Sequence, residues 1–296
     1  MSIHPNSSSP VLFKKVLFGF AFSPNLENNL YEVFRVCRFL GAELTLLHVG
    51  ACTEKKKAAL STLLDQIPNA DVVSEVLWRE GDPFQTIYDQ CDALSIDLLM
   101  IGAQRHETLF RFYVGSVARK LTRRVNCSVL LLTNASRERV ACKHVVVNGV
   151  LSDYTADAIN AAFFVGQRLG ARQLTIVEEI APNKVQVAVD DDRSLVKSLR
   201  KKHQLELRED ERVRSIVAAV PASFKEGVSY RTQPIFGKRG YSIGHYAEIS
   251  RADLLVLNAE KHSSIFKRII TRDIEFILSD LPCELLIIRP QKEQNA

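Results

Sequence analysis

Charge of one sign is scarce in this sequence. Across 296 residues, 39 lysines and arginines against 34 aspartates and glutamates leave a formal net charge of +5. That is a mild preference for anions and gives nucleic-acid binding little footing. Long apolar runs are also missing. None approaches the length of a membrane span, and the start "MSIHPNSSSP" has no signal-peptide core. The six cysteines, Cys37, Cys52, Cys91, Cys127, Cys142 and Cys283, contain no Cys-x-x-Cys pair. Most sit in apolar patterns, so reduced structural thiols of a cytosolic protein are the simplest account. No Ser-His-Asp or Cys-His grouping has positional support, so neither catalytic residues nor metal ligands are assigned.

What is present is a core-forming composition, 46% hydrophobic, in a length that suits two domains. An internal repeat makes the division concrete. "SIDLLMIGAQRHETLFRFYVGS" from Ser95 lies over "RADLLVLNAEKHSSIFKRIITR" from Arg251, an offset of 156 (251 − 95). At the starts of the halves, "KKVLFGFAFSPN" lies over "KHVVVNGVLSDY", aligning Ser23 with Ser152 at an offset of 129. The difference, 156 − 129, places 27 extra residues in the second half, where the charged stretch Lys184 to Glu211 stands. The expected division is a disordered tail over 1–10, a first domain over 11–134, a linker over 135–142, a second domain over 143–290 and a tail over 291–296.

Each half alternates short apolar runs with helical periodicity. In the first half the spacing predicts strands at Val16–Phe20, Leu44–Val49, Val72–Trp78, Leu98–Ile101 and Ser128–Leu132. Helices are expected at Asn25–Leu40, Lys55–Gln66, Pro83–Ser95 and Val114–Val125. Gly41 stands where a helix-ending glycine belongs, and Pro83 opens a helix. Alternating elements of this kind imply parallel βαβ units with ligands at the carboxyl ends of the strands.

One such strand end leads into "GAQRHETLFRFYVGSVARKL", Gly102 to Leu121. Gly115-Ser116 opens a helix whose amides and hydroxyl suit phosphate, and Gly102 gives the chain room to turn. Arg105, Arg111, Arg119, Lys120, Arg123 and Arg124 add positive charge. The loop is neither a Walker motif nor a Gly-x-Gly-x-x-Gly fingerprint. Read alone, it is equally a turn glycine and a helix-start glycine.

The order of elements and "LLMIGAQRHETLFRFYVGSVARKLTRRVNCSVLLL" resemble the universal stress protein family, and Val11 to Pro290 resembles a tandem member. The resemblance implies an α/β fold of two tandem doubly wound parallel five-stranded sheets, Rossmann-like and of the adenine nucleotide alpha hydrolase type. It further implies an intramolecular pseudo-dimer paired through Ser128–Leu132 and Glu284–Ile288. The family's nucleotide-binding branch carries Gly-x2-Gly-x9-Gly-[Ser/Thr], which falls here on Gly102, Arg105, Gly115 and Ser116. Val49 takes the position that meets adenine through its backbone. Two departures are plain: Arg105 replaces the middle glycine, and Ala21 replaces an aspartate. The second half has Asn258, Lys261 and Thr271-Arg272 at the loop positions, with Asp273 beside them and Val150 in the aspartate's place, and is expected to have lost the ligand.

The resemblance thus implies a cytoplasmic stress-response binding and signalling module, not an enzyme. Its ligand would be ATP or a related adenine nucleotide, with or without Mg2+, in the first domain only. A ligand-free interaction scaffold and a weak ATPase or nucleotidyl-transfer enzyme are the competing readings. No nucleic-acid or membrane partner is expected, and a further homodimer is left open. Among other features, Asp190–Asp192 reads as a helix start and Lys197–Arg214 as a long exposed helix. His48 reads as a packed strand-end histidine. His106 and His262 occupy equivalent loop positions and read either as ligand contacts or as surface histidines inherited through the repeat, and His245 has no evident metal partner.

Overall fold

The computed structural model describes residues 12–68, 72–105, 112–185, 190–259 and 272–289, with 104–105, 112–113 and 272–273 described as backbone. The first half runs β1 (Lys15–Phe20), α1 (Leu26–Leu40), β2 (Glu43–Val49), α2 (Glu54–Gln66), β3 (Val73–Arg79), α3 (Pro83–Ala93) and β4 (Leu98–Gly102). A two-residue antiparallel pair follows, β5 (Gln104–Arg105) with β6 (Phe112–Tyr113), then α4 (Ser116–Arg124) and β7 (Ser128–Leu132). Residues 133–143 carry no helix or strand. The second half runs β8 (His144–Asn148), α5 (Thr155–Leu169), β9 (Gln173–Ile180), α6 (Asp192–Ala219), α7 (Ala222–Lys225) and β10 (Ser229–Phe236). It closes with α8 (Tyr241–Ile249), β11 (Leu254–Asn258), α9 (Arg272–Ser279) and β12 (Glu284–Ile288).

The local causes are those read from the sequence. Leu26, Leu30, Val33, Phe34 and Cys37 are buried on one face of α1, and the helix ends on Gly41 at φ 71°. Its counterpart α5 ends on Gly170 at φ 87°. Only glycine takes that left-handed conformation without cost. Pro83 opens α3, capped by the Asp82 side chain, which accepts from the Gln85 N–H at 2.9 Å.

All the long strands form one ten-stranded sheet in the order β10-β9-β8-β11-β12-β7-β4-β1-β2-β3. The two five-stranded halves expected from the sequence are therefore continuous. Each is parallel within itself, and they join through the antiparallel pair β7–β12. Leu130 pairs with Leu286, its own repeat equivalent (286 − 130 = 156), so a pseudo-twofold axis passes through that pair. The pairing removes two apolar edges that would otherwise be exposed. One apolar layer holds α1, α5 and α6 against the sheet, and the opposite layer holds α3, α4, α8 and α9.

The junction also pairs charges across the axis. Glu275 of α9 bonds Arg119 at 3.3 Å and Arg123 at 2.6 Å, both on α4. Arg119 and Glu275 are repeat equivalents (275 − 119 = 156). In a symmetric pair of identical halves, like charges would meet there. The hydrogen bond and ion pair with Arg123, followed by the charge of Arg119, hold the Glu275 carboxyl below the usual range, although burial opposes this. A depressed acid stabilises the fold above its unfolded pKa and loses that contribution on acidification. Replacing Glu275 by Lys leaves two guanidinium groups facing a third cation. The change should lower unfolding free energy by about 1–2 kcal/mol at neutral pH. Equilibrium denaturation measures this; an unchanged midpoint would show that the junction does not depend on the pair.

Candidate functional site

The first half has strand order 3-2-1-4-5, with its switch point between β1 and β4. Open parallel sheets place ligands at such a crevice. A cavity of about 610 Å³ lies there, within the range of small-molecule sites. Ala21, Ser23, Asn25, Asn29, Val49, Gly102, Gly115 and Ser116 all contribute to its lining. Four of the five residues singled out from the sequence are thus brought together. The fifth, Arg105, is placed on β5 beside the cavity's rim strand, and its side chain lies outside the described residues, as do Arg111, His106, His262, Lys261 and Thr271.

Two helices begin at this cavity, and no side chain caps either one. Gly115 is the N-cap of α4 and Asn25 that of α1; neither helix has a side-chain cap hydrogen bond. Thr53, Asp82 and Asp191 cap α2, α3 and α6, whereas α5, α7 and α8 likewise lack a side-chain cap from their N-cap residues. Two helix starts therefore direct partial positive charge into one space. Gly115 has φ −60°, which any residue can adopt, so the backbone turn does not require a glycine there. The part played by α1 was not read from the sequence.

Gly102 has a different role from the turn expected of it. A Cβ there would lie 2.6 Å from Asn29 Nδ2, so the missing side chain makes room for the Asn29 carboxamide. The second half makes the opposite exchange. Asn258 replaces Gly102, and buried Ala158 replaces Asn29 (158 − 29 = 129). There Asn258 Nδ2 donates to Ser152 Oγ at 2.5 Å. Both halves put a carboxamide in this space, from the helix in one and from the strand in the other.

The arginines of α4 also correct the reading of a phosphate-directed basic helix. Arg119 and Arg123 are engaged with Glu275, and Arg119 also donates to the Leu278 carbonyl at 3.2 Å. Among the described residues, the cavity wall contains no charged side chain. Phe22 does not plug the mouth. It stacks on Trp78 with centroids 6.2 Å apart and meets His48 edge-on at 5.1 Å. His48 is buried, its Nδ1 lies 3.2 Å from the Phe20 carbonyl, and its Nε2 lies 3.2 Å from Lys56 Nζ. With Nδ1–H donating to the carbonyl, Nε2 accepts from the ammonium. Burial, with the charge of Lys56 adding to it, lowers the His48 pKa and keeps the ring neutral.

At the second half's corresponding end, Glu178 stands where Val49 stands in the first (178 − 49 = 129). It is 2% exposed, and neither carboxylate oxygen has a hydrogen-bond partner among the described residues. Burial pushes its pKa up to about 7; Arg212 opposes the shift, while Glu209 and Asp210 add to it. Arg212 of α6 donates to the Gly149 carbonyl, at the end of β8. Asp210 of the same helix accepts from Thr232 Oγ1 of β10 at 2.8 Å. The inserted segment is thus a helix anchored beside the second crevice. Asp191 and Ser194 form the capping box that opens it, and Asp192 stands in its first turn.

Two results follow. Gly102→Ala should push Asn29 into the first cavity and shrink it, and adding Asn29→Ala should restore the space; crystal structures of both variants would decide this. Glu178 has a folded pKa raised above its unfolded value near 4.5, so its contribution to stability falls as pH rises from about 4.5 to 7. Glu178→Gln should remove that fall, gaining on the parent up to about pH 7 and by a constant amount above it. Thermal midpoints measured across this range test the sign, and parallel curves would contradict it.

Comparison with known proteins agrees with this geometry. The sequence model of the Universal stress protein family matches residues 51–133. No curated protein matches the chain in sequence. Among solved structures, a universal stress protein from Archaeoglobus fulgidus DSM 4304 is similar at a TM-score of 0.67 and 16% identity, covering 93% of this chain and 98% of that one. A functionally unknown protein from Pseudomonas aeruginosa PAO1 gives 0.69 and 16%, with 94% and 93% covered. The cytoplasmic domain of a prokaryotic cation chloride cotransporter gives 0.51 and 11%, with 96% and 98% covered. At such identities the likeness is one of fold. Residues 51–133 match the sequence model of the Universal stress protein family, and the chain as a whole is similar in fold to these structures.

Proposed function

We propose that this protein is a tandem stress-response binding module, with domains over 11–134 and 143–290, whose first domain holds an adenine nucleotide. The observation that carries the reading is the meeting of two uncapped helix starts, α1 and α4, in one cavity of about 610 Å³. The amides of Ser116 and Val117, with the hydroxyls of Ser116 and Ser23, offer phosphate a set of donors without a formal charge. Val49 and its strand neighbours would meet the base. Arg105 would close over the phosphates from β5.

The same lining argues for binding without turnover. Phosphoryl transfer uses a carboxylate for Mg2+ and a group to position the attacking oxygen. Among the described residues, the cavity wall holds neither an aspartate nor a glutamate. The second domain would serve as an interaction surface, since Asn258, Glu178 and α6 take up the space and chemistry of its crevice. The cytosol suits six unpaired cysteines.

Calorimetric titration with ATP tests the proposal directly. Ser116→Pro is the informative variant. Proline is tolerated at the first helical position but has no N–H, so it removes one amide donor and one hydroxyl with little harm to the helix. One charge-assisted hydrogen bond contributes about 1.5–3 kcal/mol, so affinity for ATP should fall by roughly tenfold or more. Affinity for adenosine should stay unchanged. A flat trace with the parent protein would contradict the proposal.

A further inference from the structure

The inserted helix α6 has two parts of opposite character. Its buried residues, Val213 and Val217, lie in its C-terminal half, where Asp210 and Arg212 also contact the body. The preceding segment, residues 193–205, contains five cations (Arg193, Lys197, Arg200, Lys201 and Lys202) and no acid. Lys202 lies over the Phe236 ring at 4.7 Å. Arg193, Lys197, Arg200 and Lys201 have no carboxylate partner among the described residues.

This cationic arm also exposes a stripe of large aliphatic side chains. Leu195 is 45% exposed, Val196 44% and Leu199 58%, and beyond the arm Leu207 is 53% exposed. At 100° per residue Leu195, Val196 and Leu199 fall within a single arc of the helix surface; Asp192 bounds that stripe at the helix start, and His203 and Glu206 separate it from Leu207. Arg193, Lys197 and Arg200 lie along one border of that arc, with Lys202 near the other. Single exposed leucines need no explanation, but three aliphatic side chains in one stripe between cations do. The first half offers no equivalent, because the segment belongs to the 27 residues found only in the second.

We infer that the arm of α6 from Arg193 to Leu205 docks on an anionic lipid surface, lying in the interface with its aliphatic stripe inward and its cations at the headgroups. Charge complementarity selects the occupant: five cations without an acid suit a negatively charged leaflet, and the leucines suit its acyl boundary. A nucleic-acid backbone would use the cations but leave the leucines in water. No helix among the described residues is long and apolar enough to cross a membrane, so the contact is peripheral. It is independent of nucleotide binding at the first crevice.

Vesicle co-sedimentation of the full chain tests this. Binding is expected to phosphatidylcholine–phosphatidylglycerol vesicles and not to phosphatidylcholine alone, weakening as salt rises. Each cation near an anionic leaflet contributes about a fivefold factor. The triple variant Arg193→Ser, Lys197→Ser, Arg200→Ser should therefore lose roughly a hundredfold in partition. Leu195→Ser with Leu199→Ser keeps every charge and should lose at least about tenfold. Both variants alter exposed positions, so their thermal midpoints should match the parent's. No binding to the anionic vesicles would overturn the inference. So would full binding by the leucine variant, or equal binding to duplex DNA and to vesicles that depends on the cations alone.

Discussion

An uncapped helix start is an unfinished structure. Its first amides have no partner within the helix, and water, a side chain or a ligand must complete them. In this protein α1 and α4 both begin that way at the switch point of one parallel half-sheet. The rest of the first half is arranged around that condition. β1 and β4 hold the two starts apart, Gly102 lets Asn29 settle between them, and Phe22 is drawn off against His48 and Trp78. The result is a space whose positive character comes from backbone dipoles. Such dipoles are fixed by the fold and need no reorganisation when an anion arrives.

The duplication shows what happens when that condition is relaxed. The second half keeps the strand order and the buried pattern but settles several polar groups of its crevice internally, Glu178 excepted. Asn258 bonds Ser152, Glu179 accepts from the Gly240 and Ile243 amides at the start of α8, and Arg212 reaches the Gly149 carbonyl. Divergence has also made the two halves complementary. Arg119 and Glu275 occupy equivalent positions on either side of the pseudo-twofold axis and carry opposite charges. A pair of unlike halves in one chain can use such a contact; two identical halves related by symmetry cannot.

The sequence disclosed most of the fold because periodicity and repetition are redundant signals. Leu26, Leu30, Val33, Phe34 and Cys37 repeat at helical spacing, and they are the buried face of α1. Strand limits shifted by about a residue, as at β3, where pairing with β2 carries the strand to Arg79. The helix expected from Val114 begins at Ser116. The site was less legible. Gly102, Gly115, Ser116 and Val49 could be found because they are local to strand ends. The engagement of Arg119 and Arg123 with Glu275 could not, since it links residues more than 150 positions apart. Asn29 looked like an ordinary polar helix residue, and only the missing Cβ of Gly102 gives it a place. Likewise the charged insertion was legible as a helix, whereas its division into an anchored end and an exposed cationic arm depends on where the body stops.

The account stands on the amides at the start of α4 being the group that meets phosphate. Backbone amide shifts followed during separate titrations with ATP and adenosine examine that most directly. The account predicts that Ser116 and Val117 move strongly with ATP and little with adenosine, while Val49 responds to both. Shifts confined to the cationic arm of α6, with the α4 start unmoved, would contradict it.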